Sequence, residues 1–141
     1  EGKVQQLPVK QHRTKTTNRY FNYIYVRMGA CTLIHKRTED DIWKNLFELP
    51  LVETEKDLSE EEFLACPQFH ALFAEGEVRM VRTLLRGVKH VLSHRVIYTN
   101  FYEVTLPDNS SSFSSYQRVA VEDLDRYAVP RLIHAFLEKY V

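Results

Sequence analysis

No apolar run in this chain approaches the roughly 20 residues that span a bilayer, and no charged-then-apolar leader opens it. A membrane-spanning or signal-bearing stretch is therefore not encoded in these residues. Cysteine is scarce as well: Cys31 and Cys66 are the only two, and they form no CxxC pair. That excludes a disulfide framework and a thiolate zinc cage. Cys31 lies in an apolar, strand-like run and is expected to be a buried free thiol, which suits a reducing, cytoplasmic compartment. Net charge is also missing, with 19 basic residues against 19 acidic ones. Attraction to a polyanion must then come from local clustering of charge.

Such clustering is present. Residues 1–19 hold Lys3, Lys10, Arg13, Lys15 and Arg19 against Glu1, a net of +4. Residues 39–62 hold ten acids against Lys44 and Lys56, a net of −8. One face of such a protein is able to meet a polyanion while another repels it. The apolar fraction of 44% and charged fraction of 27% are ordinary for a globular protein. At 141 residues the chain fits one domain, able to bury about two-thirds of its unfolded surface. Because the first residue is a glutamate, the chain is expected to be a piece of a longer protein.

Residues 1–18 show no periodicity and are rich in Lys, Gln and Thr, the composition of a connector or arm. Arg19–Met28 is dense in aromatic and β-branched residues, which predicts a strand. Gly29-Ala30 predicts a turn, with Cys31–Lys36 pairing back as a hairpin. Thr38–Asp41 reads as a polar loop and Ile42–Pro50 as a partly extended apolar run. Ser59 followed by Glu62 is a capping box, opening a helix that Pro67 breaks or restarts and that carries Phe63, Leu64, Phe69, Leu72 and Phe73. Strands are predicted over 77–91, 95–106 and 118–121, with a polar, flexible loop over Asp108–Ser115. A terminal amphipathic helix spans Val129–Tyr140, with Pro130 in its first turn. This order of elements predicts an α+β fold with a mixed sheet packed between helices.

Four pieces of the chain, in order, resemble the C-terminal domain of MutY-type adenine DNA glycosylases, a Nudix-like relative of MutT. LPVKQHRTKTTNRYF (7–21) looks like the connector into that domain. LIHKRTEDDIWKNLFELP (33–50) resembles its strand, loop and G-L-W-x-x-L-W-x-F-P segment, with Trp43 as the tryptophan and Pro50 as the closing proline. KHVLSH (89–94) resembles its HxFSH loop, and DLDRYAVPRLIHAFLEKY (123–140) its final helix. Leu92 stands where the family usually has phenylalanine, Thr38 where it has proline, and Asp41 and Lys44 where small residues are common. The resemblance implies a Nudix-like domain over 19–141, with 1–18 as an interdomain connector. It further implies recognition of 8-oxoguanine opposite adenine in duplex DNA. Excision itself would belong to an N-terminal domain of the same chain that carries a 4Fe-4S cluster. The expected setting is a bacterial cytoplasmic, nucleoid-associated monomer. The stretch in hand would need no cofactor of its own and would be non-catalytic.

Oxidation at C8 turns guanine N7 into a donor and adds a carbonyl oxygen. A serine meets both, its hydroxyl accepting from N7–H and its backbone N–H donating to O8. With the resemblance, Ser93 becomes the candidate reader, Leu92 an apolar wedge between bases, and His94 an orienting residue. Lys89, His90 and Arg95 are candidates for phosphate contact, which positions a protein without specifying sequence. Lys10, Arg13 and Lys15 are candidates for the DNA backbone. His90 and His94 are four apart, a metal spacing on a helix, but this segment is strand-like and lacks a third ligand nearby. Trp43, Phe47 and Leu49 are expected in the core. Nudix hydrolases hold Mg²⁺ on a glutamate cluster, in a helix bearing REUxEE after a Gly-rich turn. Here Pro50 is followed by Leu51-Val52-Glu53-Thr54-Glu55, and Glu60, Glu61 and Glu62 are consecutive, so they fan around a helix instead of converging. Two rival functions remain: an active Nudix hydrolase on an oxidised nucleotide, and a protein-interaction module docking through the acidic stretch 39–62.

Overall fold

The computed structural model describes residues 17–141. Strands β1 (Thr17–Arg27) and β2 (Cys31–Lys36) lead through β3 (Phe47–Glu48) and β4 (Leu51–Thr54) to two short helices, α1 (Glu60–Ala65) and α2 (Pro67–His70). Two long strands follow, β5 (Met80–Leu92) and β6 (Arg95–Thr105). Strand β7 (Gln117–Ala120), a 3-10 segment (Val121–Arg126) and helix α3 (Arg131–Tyr140) complete the fold.

The main sheet has the order β4-β1-β6-β5, and a smaller one the order β3-β2-β7. The pair β1–β6 is parallel and the other pairs are antiparallel. The fold is therefore α+β with a mixed sheet, as expected. Helix α3 lays Phe136 on Phe101 from one side, centroids 4.1 Å apart, while α1 lays Phe63 on Tyr102 from the other at 4.6 Å. Alternate residues of a strand face opposite ways, so β6 sends Ile97 and Phe101 into one core and Tyr102 and Val104 into the other.

The capping box forms as expected. Ser59 Oγ accepts from the Glu62 N–H at 3.1 Å, and the Ser59 N–H donates to Glu62 Oε1 at 2.9 Å. Pro67 ends α1 and opens α2. Three expectations need correction. Strand β2 does not pair back along β1; a single bridge, Met28–Cys31, joins them. Strand β6 takes one edge of β1 along its whole length and β4 takes the other at Tyr20–Tyr23, while β2 finds its partners in β7 and β3. Gly29 still makes the turn, at φ +60°, where a Cβ would come within 2.8 Å of the Asp108 carboxylate.

The run 42–50 is partly extended, as expected, at β3. Before it the chain coils, with Trp43 at φ 59° and Asn45 at φ 74°. The loop over 108–115 is a built structure. Ser110, Ser111 and Ser112 converge on the Glu77 carboxylate through three hydroxyls and two backbone N–H groups. Led by the Ser110 hydroxyl, these bonds lower the Glu77 pKa to about 2. Finally, Cys31 is half-buried, at the first position of β2, where it lines a cleft.

Candidate nucleic-acid interface

Strands β5 and β6 form a hairpin that closes at the Leu92–Arg95 pair, leaving Ser93 and His94 as its two-residue turn. Opposed residues of an antiparallel pair share a face. His90 is thus on the side of Ile97, and Leu92 on the side of Arg95, both turned toward the first core. Lys89 pairs with Tyr98 and Val91 with Val96 on the other side. Leu92 is half-buried and packs on the core. Val91 is 66% exposed and is the apolar side chain that the tip offers to solvent.

Three contacts hold the tip. The Thr17 N–H donates to the His94 carbonyl at 3.1 Å, tying the start of β1 to the turn. Leu92 anchors the inner side. Trp43 stands edge-on to both Phe21 (5.9 Å) and His90 (6.0 Å), bridging β1 and β5. A positive φ is costly for a bulky residue and persists only where surroundings enforce it. Here they do. Arg37 accepts through its carbonyl from the Asn45 N–H, and its guanidinium donates to Ile42 O, Asp41 and Glu48.

Arg19 grips the same loop, bonded to Asp41 and to Glu53 by two hydrogen bonds each. The Arg19 hydrogen bond lowers the Asp41 pKa to about 2. Arg19 is thereby a strut whose charge is already matched. Behind it, Glu48 is buried and accepts from the Tyr23 hydroxyl at 2.6 Å and from Arg37 at 3.0 and 3.1 Å. His35 Nε2 lies 2.9 Å from Glu48 without hydrogen-bond alignment. Burial, reinforced by the Glu48 charge, raises the Tyr23 pKa.

Of the expected site residues, Lys89, Ser93, His94 and Arg95 are exposed together at the hairpin end, whereas His90 and Leu92 face inward. Lys10, Arg13 and Lys15 lie outside the described residues. Trp43 and Phe47 pack against the core and Leu49 is buried within it. Sequence reasoning missed Tyr20 and Tyr98. Adjacent in the parallel register, they stack at 5.6 Å with planes 16° apart. The period-2 alternation of β6 carried the only signal, and it needed the register to be read.

The three consecutive glutamates have separate surroundings. Glu62 is engaged in the capping box, Glu60 accepts from Thr83 at 2.6 Å, and Glu61 is exposed. Among the described residues no group of three His, Cys, Asp or Glu is placed to hold a metal ion. Beside this helix the sheet carries a polar layer instead. Asn100 accepts from the Gly87 N–H at 2.8 Å, freed by a bulge in β5, and donates to Asn22 and Asp57.

Among solved structures, the C-terminal domain of mouse MUTYH, determined in complex with human PCNA, superposes with a TM-score of 0.65 at 15% identity, covering 86% of each chain. MutT from Methanosarcina mazei superposes at 0.56 with 17% identity, over 88% of this chain and 93% of that one. A structure from work on MutT of Aliivibrio salmonicida and Vibrio cholerae superposes at 0.58 with 15% identity, over 87% and 96%. At such identities the likeness is one of fold. No curated protein matches in sequence. Among the described residues no helix is long and apolar enough to cross a membrane. Residues 22–139, from the middle of β1 to the last turn of α3, match the NUDIX domain, and the chain belongs to that family.

Proposed function

We propose that this chain is the lesion-recognition domain of a MutY-type adenine DNA glycosylase, gripping duplex DNA that carries 8-oxoguanine opposite adenine. One observation carries this reading: an exposed Ser93-His94 turn projects from a hairpin whose inner side is locked into the core. A reader of one base edge has to hold its donor and acceptor to within a fraction of an ångström, so a rigid strand pair suits it better than a free loop. Ser93 accepts from N7–H through its hydroxyl and donates to O8 through its backbone. His94 is held by Thr17 through its carbonyl. Lys89 and Arg95 flank the turn and meet phosphate. Of the two apolar residues beside the turn, Val91 is the one free to press on a base, while Leu92 braces the tip from behind. Likeness of fold to the mouse MUTYH domain supports the assignment.

On this reading, adenine excision and its 4Fe-4S cluster reside in another domain of the parent protein, and this chain acts as a monomeric binding module. Ser93→Ala is expected to cut discrimination between 8-oxoguanine and guanine by about 1–3 kcal/mol in a competition assay. Discrimination equal to that of the wild type would remove Ser93 from the mechanism.

A hydrolase reading draws on the MutT likeness and on a cavity of about 450 Å³ lined by His35, Arg37, Asp41 and Glu48. Against it stands the arrangement of Glu60, Glu61 and Glu62, which leaves no convergent carboxylates to hold Mg²⁺. Release of pyrophosphate from an oxidised nucleoside triphosphate, with added Mg²⁺, would decide for the hydrolase.

A further inference from the structure

We propose that Tyr98 and Tyr20, in a row with Lys89, form a phosphodiester-binding rail on the outer face of the hairpin. This rests on the DNA-binding reading of the turn and extends it along the sheet. The outer face changes character toward the tip. At its far end Tyr102 and Ile24 lie beneath Phe63 and Phe69 of α1 and α2. Next comes the Asn22–Asn100 layer, bridged to Asp57. Tyr20 and Tyr98 follow, and neither belongs to either core. Among the described residues, neither phenol has a hydrogen-bond partner.

The way the rings stand determines what they offer. Stacked on each other across two strands, they have each spent one π face and hold each other's ring in place. The rims with their hydroxyls remain, and Lys89 stands beside Tyr98 in register. Phenol and ammonium donors are common partners of phosphate oxygens. No carboxylate sits in this row. The acid of the neighbouring layer, Asp57, accepts from Asn100 and lies 3.6 Å from Arg86, so its charge is already engaged.

Distance fits as well. Tyr98 is four residues from His94, about 13 Å along the strand at about 3.3 Å per residue. A major groove is about 12 Å wide. A turn inserted in the groove thus sets the flanking backbone over the tyrosine rail.

The test is binding of the full chain to labelled duplexes containing 8-oxoguanine:adenine or guanine:adenine, by fluorescence anisotropy across a salt series. The double variant Tyr20→Phe/Tyr98→Phe keeps the ring stack and loses only the hydroxyls. It is expected to bind both duplexes about three- to tenfold more weakly, by the same factor. Lys89→Gln should weaken both equally and lower the slope of log affinity against log salt by about one. Wild-type affinity in the double variant, with Ser93→Ala still losing discrimination, would overturn the rail and leave the turn intact. Loss of discrimination in place of affinity would put the phenols on base edges and also overturn it. If the wild-type chain binds neither duplex even at low salt, the rail and the DNA-binding reading fall together.

Discussion

On the inner face of the β5–β6 hairpin, His90 touches Trp43, Leu92 packs on the core, and Ile97 is fully buried. On the outer face of the same strands, Lys89, Val91 and Tyr98 meet none of this, and Val91 is two-thirds exposed. The two faces are interleaved residue by residue, so a difference of one position separates framework from contact surface. For a recognition element this interleaving is an advantage. On the proposed reading, stability resides mainly in one set of side chains and binding in the next, with Arg95, opposite Leu92, the exception. The lesson is that a short motif such as Val91-Leu92-Ser93-His94 divides between the two roles.

Substitutions chosen from each face should separate those roles. The largest effect is expected at Phe101, fully buried between Tyr23 and Phe136 on the inner face. Phe101→Ala should cost about 3–5 kcal/mol in denaturant unfolding. Leu92→Ala, half-buried, should cost about 1–2 kcal/mol and weaken DNA binding only through loss of the folded, braced tip. If Leu92→Ala leaves stability intact but abolishes binding, the assignment of faces is wrong.

A subtler perturbation is acid. The Asp41 pKa is lowered from 3.8 to about 2 in the folded chain, chiefly by the Arg19 hydrogen bond. A carboxylate with a depressed folded pKa contributes stability that is fully present above its unfolded value. That stability is lost as pH falls through the folded one, here between about 4 and 2. Unfolding curves over this window should show Asp41→Asn with a flatter acid limb. The slope that remains comes in part from Glu77, whose pKa is also lowered to about 2. The smallest effect on stability belongs to the outer face. Val91→Ala should stay within about 0.5 kcal/mol of wild type while reducing affinity for DNA.

What could be read from the sequence was what is local in the chain. The Ser59–Glu62 capping box, the restart at Pro67 and the stripe of Leu132, Ile133 and Phe136 depend on neighbours a few residues away, and all three are present. The α+β class followed from their order. Pairings that depend on distant competitors were not legible. Nothing near Cys31 announces that β2 pairs with β7, nearly ninety residues on, instead of with β1. Nothing in Ser110-Ser111-Ser112 points to Glu77, more than thirty residues earlier. Trp43 was expected in the core, but its positive φ comes from the clasp of Arg37 and Arg19 around the loop. In the candidate site, Ser93 and His94 stood out as a turn. The inward aim of Leu92 and the stacking of Tyr20 on Tyr98 needed the strand register.

The parallel pairing of β1 with β6 joins Thr17 to Arg95 and keeps an offset of 78 residues along its whole length. Closing so long a loop costs entropy before any contact repays it, and folds rich in such contacts form slowly. The β5–β6 hairpin, closed by a two-residue turn, has far less loop entropy to overcome, so it is expected to form before the central pair. A chain that stops short of the turn lacks the partner that completes its sheet, and a pulse-labelling hydrogen-exchange experiment should find β5 and β6 becoming protected before β1. On that expectation the Ser93-His94 turn serves the scaffold as well as the proposed contact surface, because the strand it launches is the one that β1 needs.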